Sequence, residues 1–229
     1  MLRKPENVVF ALRLAACLLL PALAGCGQLN PFRYKEFAQE REFGPGVEGE
    51  LAAIDTLGRR AASMPPEEQA RVSAELVSKL RNSRRIVVRE RAVKALANFP
   101  TPEAATGLNL ALSDAHHDVR IAACRAWKRR GGEQAIEALA RTVASDTDLD
   151  VRLAAVTALS GNKDPRAVQA LGIALDDSDP AMQSQAIASL RSSTGRDLGG
   201  DVQAWRHLVR GEPLPEGSEQ VARGWWPWQ

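Results

Sequence analysis

The sequence predicts an all-α chain built as an α-solenoid (an α-α superhelix) of about four helix pairs, with a capping helix at each end. Three observations carry this expectation. A short phrase returns along the chain as Val88-Arg89…Ala92…Ala95-Leu96, Val119-Arg120…Ala123…Ala126-Trp127, Val151-Arg152…Ala155…Ala158-Leu159 and a worn copy, Met182-Gln183…Ala186…Ser189-Leu190, at spacings of 31, 32 and 31 residues. Ahead of each copy stand apolar residues four apart, Leu76 and Leu80, Leu108 and Leu112, Leu139 and Val143, Leu171 and Leu175, which share one face of a helix. Pro100 with Pro102, Gly131-Gly132, and Gly161 with Pro165 punctuate the joints between pairs.

The order of elements follows from these marks. Residues 1–25 carry Arg3, Lys4 and Arg13 ahead of the apolar run Leu14 to Ala24, too short for a mature membrane span and suited to a secretory leader. The run closes in Leu23-Ala24-Gly25-Cys26, which resembles the lipobox of bacterial lipoproteins; the resemblance implies cleavage before Cys26 and lipidation of its thiol. Residues 26–46 are polar, contain Pro31 and Pro45, show no helical stripe and read as a tether. Leu51, Ile54 and Leu57 begin the periodic region with a capping helix that ends near Ala62, and Ser63 precedes the next helix, with proline in its first turn. Repeats with their caps fill 47–210. Asp201 is placed to cap the last helix, which runs to Arg210, and Trp205 to bury its ring on the final repeat. Residues 211–229 turn to Pro, Glu, Gly and Ser and end in Trp225-Trp226-Pro227-Trp228.

The phrase Asp118-Val119-Arg120-x-Ala122-Ala123-x-x-Ala126 and its echo Asp150-Val151-Arg152-x-Ala154-Ala155-x-x-Ala158-Leu159 resemble HEAT repeats, in particular the short variety of the phycobilin lyases. The resemblance runs from about Pro65 to Ser192. The Thr194 to Arg206 segment is similar to the one that closes the stack in bacterial HEAT-repeat lipoproteins. Ankyrin and tetratricopeptide repeats have nearby periods, but their signatures are missing here.

Cysteine and charge bound the function. Cys17 lies in the leader and Cys26 takes the lipid, so Cys124, beside Ala123, remains as a lone thiol expected to be buried. The formal charge of +2 disappears when Arg3, Lys4, Arg13 and Glu6 leave with the leader, and a near-neutral chain argues against nucleic acid as partner. Charge is nonetheless uneven. Residues 81–130 hold eleven Lys and Arg against four acids, and residues 131–180 hold four against nine.

Four groups of residues are candidates for chemistry. Asp118, Asp150 and Asp179 are expected to precede the second helices, and their recurrence at the repeat period fits helix capping, with Arg120 and Arg152 pairing to a neighbouring repeat. Asp114-Ala115-His116-His117-Asp118 is the one place where metal-ligand types cluster in sequence. Adjacent histidines point about 100° apart on a helix, so this run alone does not complete a tetrahedral set, and neither metal nor cofactor is expected. No His-Glu dipeptide occurs, which argues against the iron-dependent HEAT hydroxylases. In the resembled family the second helices line the concave face, so Arg89, Arg91, Lys94, Arg120, Arg125, Lys128, Arg129 and Arg130 are candidates for an anion-facing, partner-binding patch. Trp225, Trp226 and Trp228 have no local apolar partners and are expected to meet a partner or to fold back on the repeats.

The resulting expectation is a non-catalytic protein-binding scaffold in a bacterial envelope, anchored through Cys26 and facing away from the cytoplasm, for an unidentified protein or peptide. Two alternatives stand beside it. One is a phycobilin-lyase-like enzyme or chaperone holding a ligand in the solenoid. The other is a structural envelope protein that self-associates weakly through its basic and acidic halves.

Overall fold

The computed structural model describes residues 46–216; Cys26, the leader, the tether and Trp225, Trp226 and Trp228 lie outside the described residues. Ten α-helices follow one another in the described part, with no strand among them. They are α1 Val47–Arg60, α2 Pro66–Asn82, α3 Ile86–Leu96, α4 Pro102–Ala111, α5 His117–Arg130, α6 Gly132–Ser145, α7 Leu149–Leu159, α8 Pro165–Ile173, α9 Pro180–Thr194 and α10 Val202–Arg210. Single 3-10 turns follow α1 at Ala61–Ser63 and α8 at Ala174–Asp176. Among the described residues no helix is long and apolar enough to cross a membrane.

The pairs are α2/α3, α4/α5, α6/α7 and α8/α9, flanked by α1 and α10. The second members α3, α5, α7 and α9 stack directly on one another, and among the first members α2 packs on α4 and α6 on α8. The recurring phrase explains the close stack. Val88, Ala92, Val119, Ala123, Val151, Ala155, Met182 and Ala186 are all fully buried, and alanine at alternate turns lets helix backbones approach. Larger residues close each layer: Leu96, Trp127, Leu159 and Leu190 occupy the same place in successive repeats without exposure.

Local chemistry sets the helix ends. Prolines stand at N1 or N2 of α2, α4, α8 and α9, where the missing N–H costs nothing. Thr101 Oγ1 accepts the Ala104 N–H at 3.2 Å while its hydroxyl donates to Ser73 Oγ at 2.8 Å, so one residue both caps α4 and ties it to α2. Asp201 caps α10 through the N–H groups of Gln203 and Ala204, and Trp205 is buried with its Nε1–H on the Gly199 carbonyl at 3.0 Å. Gly131, at φ 66°, ends α5 in a conformation that a side chain would oppose.

Some expected details shift. The capping helix stops at Arg60 and tightens into the 3-10 turn. Asp179 caps α9 as expected, its Oδ1 accepting the Ala181 N–H at 2.7 Å. Asp118 and Asp150 instead lie inside the first turns, and the caps are His116 and Asp148. The reason is register: Asp179 stands three residues before Met182 and so matches His116 and Asp148, three residues before Val119 and Val151, whereas Asp118 and Asp150 stand only one residue before those valines. A set of acids further upstream shapes the loop alike in all three repeats: Asp114, Asp146 and Asp177 each accept the N–H two residues on, at 2.9 Å.

These upstream acids are also the partners of the recurring arginines. Arg89 binds Asp114 through two parallel hydrogen bonds of 2.8 and 2.9 Å, and Arg120 binds Asp146 at 2.8 and 3.0 Å. Arg152 reaches Asp177 at 3.1 Å, and Gln183, at the matching place in the last pair, donates to the Asp177 carbonyl. Each arginine also donates to a carbonyl of the loop before its own helix: Ser83, Asp114 and Asp146 for Arg89, Arg120 and Arg152. One side chain therefore fixes a loop and the step to the next repeat together.

Candidate functional site

Once the phrase has spent its Val, Ala, Leu and Arg on packing, each second helix has one face left. On α5 this face carries Asp118, Ile121, Arg125 and Lys128, three or four residues apart. On α7 it carries Asp150, Leu153, Ala154 and Thr157. Between the two faces lies a groove of about 380 Å³, with His117 at one end. Its floor is apolar, from Ile121, Leu153 and Ala154; Asp118 and Asp150 stand at the end where both helices begin, and Arg125 and Lys128 stand towards the other end. A larger hollow of about 500 Å³ lies between α2 and α4, lined by Ala74, Val77, Ser78, Arg81, Asn82, Pro102, Glu103 and Thr106. It gathers fewer charged groups, so the α5/α7 groove offers more specific recognition.

The structure divides the expected basic patch. Arg89 and Arg120 are committed to Asp114 and Asp146. Arg91 pairs with Asp55 on α1 at 2.5 Å, and Lys94 with Glu90 on its own helix. Arg129 donates to the Lys94 carbonyl at 3.2 Å. Arg130, the last residue of α5, donates to the carbonyls of Phe99 and Thr101 in the loop between α3 and α4. Only Arg125 and Lys128 are brought together on the groove, and Lys128 also donates to the Thr157 carbonyl across it at 3.1 Å.

Electrostatic environments follow these contacts. Burial pushes the Asp114 carboxyl up, but the Arg89 hydrogen bonds, the His116 N–H and the Arg89 charge outweigh it and hold the group below the ordinary carboxylate range. The Asp146 hydrogen bonds raise Arg120 further, against the opposing effect of burial. Cys124, on the buried side of α5, is pushed up to about 12 by desolvation, so it is a protonated packing residue.

Two groups of side chains have the composition of metal ligands. His117 with Asp148 and Asp150, and His116 with His117 and Asp118, each place their donor atoms within 4.8 Å of one another. The first group joins two repeats, so no local sequence signal marks it. The groove is equally hidden in sequence; its one local trace is the spacing of Ile121, Arg125 and Lys128 on α5.

A stack of helix pairs with alanine-lined contacts and an Arg–Asp link at each step defines an α-solenoid repeat protein. A family model of HEAT repeats matches residues 73–160 and 142–210, together more than half of the chain, and the chain belongs to the HEAT-repeat family. No curated protein matches it. HEAT repeats as a class form extended surfaces on which other proteins are held.

Proposed function

We propose that this protein is a non-catalytic scaffold that holds a protein or peptide against the second helices of its repeats, on the extracytoplasmic side of a bacterial membrane. The observation that carries this reading is the α5/α7 groove, with an apolar floor between an acidic end and a basic end. Such a surface suits an extended chain segment: apolar area supplies affinity, while the opposed charges fix direction and register. The apolar lining residues Ile121, Leu153 and Ala154 also pack against the core, so the charged residues at the two ends are the part of the face most open to variation.

Anchoring rests on Leu23-Ala24-Gly25-Cys26 behind a charged and then apolar leader. Several acyl chains on Cys26 would give stable attachment where a single chain gives only marginal binding.

Two variants test the reading in its two parts. Cys26→Ser should leave the precursor uncleaved or move the protein out of the membrane fraction; a cleaved variant that still sediments with membranes would refute the anchor. Arg125→Glu combined with Lys128→Glu should leave thermal stability nearly unchanged. It should also abolish co-purification of whatever protein is crosslinked to the wild type in solubilised membranes. An unaltered set of crosslinked proteins would refute the groove as the binding face.

A further inference from the structure

We propose that the Trp225-Trp226-Pro227-Trp228 segment of this chain docks in the groove between α8 and α10, against Ile173. The groove measures about 350 Å³, and Gly172, Ile173 and Val209 form its apolar part, with Arg206 and Arg210 beside them. Ile173 and Leu110 are the large apolar side chains left exposed among the described residues. Ile173 is the more exposed of the two, at 47%, and it borders this groove, whereas Leu110 lies two pairs away on α4. The surface is separate from the α5/α7 groove.

The fold fixes both walls of the groove. A Cβ on Gly172 would stand 2.5 Å from Val209 Cγ1, so glycine is what lets α10 lie this close to α8. Arg206 holds the Asp176 carboxylate at 2.7 Å and donates to the Leu175 carbonyl at 2.7 Å, which ties α10 to the turn after α8. A surface held in this way needs little rearrangement to receive a ligand. Arg210, the last residue of α10, is exposed and has no acidic partner among the described residues.

The chain itself supplies the occupant. α10 gives way to Gly211 at φ 69°, the Glu212 N–H turns back to the His207 carbonyl at 2.9 Å, and Leu214 packs against the core. The chain is therefore held to α10 as far as Leu214. Trp225 comes eleven residues later, a stretch that spans up to about 35 Å. The nine residues of α10 are only about 14 Å long, so the tryptophans reach the groove with chain to spare. Each ring gains by burying about 150–250 Å², and the Gly, Ser, Glu and Gln that precede the rings offer little apolar surface for that, whereas Ile173 does. Charge agrees with this placement. Glu216 and Glu219 stand on the connecting stretch and complement Arg210, whose guanidinium also suits the face of an indole ring. The same acids disfavour an anionic lipid surface as the resting place of the rings.

Photo-crosslinking in the full chain tests the docking. The photoreactive residue p-benzoylphenylalanine takes the place of Trp226, and isotope-labelled and unlabelled chains are mixed before irradiation. The expected adducts join position 226 to the α8 and α10 segments around Ile173 and Arg210 of the same chain. Adducts confined to a second copy, to another protein, to lipid or to other helices would overturn the proposal, as would the absence of any adduct. Ile173→Glu, a change at an exposed position, should remove the α8 and α10 adducts while the helical circular dichroism stays as in the wild type. Undiminished adducts in that variant would also overturn the docking. Should Ile173→Glu fail to fold, the wild-type chain still answers through acrylamide quenching. Trp127 and Trp205 are buried, and the other three of the five tryptophans are in the tail. Docking is expected to shield most of the fluorescence, and ready quenching of three rings in five would refute it.

Discussion

Arg120 and Asp146 meet in parallel hydrogen bonds of 2.8 and 3.0 Å across the step from α5 to α7, with only 14% and 9% of their side chains exposed. This burial separates the pair from ordinary surface ion pairs, which contribute little. Removing one partner leaves a charge with nowhere to go.

Arg120→Ala is therefore expected to cost about 3 kcal/mol, the scale for a broken buried pair, measured as a shift of the denaturant midpoint at unchanged slope. Asp146→Ala should cost a similar amount. The double variant should lose clearly less than the sum, because each single change strands the other charge.

Acid should weaken the step from α3 to α5 in a defined direction. The folded state holds Asp114 below its ordinary value of 3.8, so as pH falls the unfolded chain takes up this proton first. The stabilisation is present above about 3.8 and is lost as pH drops through the lower, folded value. Asp114→Asn should thus be less stable than the wild type at neutral pH, and the gap should narrow below about pH 4 in denaturant melts.

Gly107 tests the closeness of packing between first helices. A Cβ there would stand 2.6 Å from Val77 Cγ2 and 2.9 Å from Leu96 Cδ1. Glycine to alanine inside a helix ordinarily stabilises by about 1 kcal/mol, but overpacking costs about 1–3 kcal/mol, and a valine has little rotamer freedom with which to yield. Gly107→Ala is expected to lower the unfolding temperature. Gly49→Ala, where no atom lies within 4 Å, should raise it slightly.

Cys124 should report unfolding. Its side chain is fully buried and its thiol is pushed up to about 12, so alkylation by iodoacetamide at pH 8 should be slow in the native protein and rapid in denaturant. Mapping the adduct by mass should show a native rate that tracks global opening and rises in the Arg120→Ala variant.

The sequence by itself determined the repeat, the pairing of helices, both capping helices and the burial of Cys124, Trp127 and Trp205. These features rest on local rules. Helical periodicity sorts residues into faces, proline, glycine and aspartate mark the ends, and a phrase repeated at 31 or 32 residues requires the same unit to be stacked.

Partners across the stack were decided only by tertiary structure. The sequence offers Arg120 acids at Asp114, Asp118, Asp146, Asp148 and Asp150, and nothing local tells which of them the next repeat will bring within reach. The offset between stacked helices chooses Asp146, which converts Arg89 and Arg120 from candidates for a binding patch into struts of the fold. The same offset places Asp148 and Asp150 beside His117, and sets Ile121 and Arg125 across from Leu153. Each of these meetings spans about thirty residues of chain. Their geometry depends on how alanine-lined helices settle against one another, a property of the packed stack that no single repeat possesses.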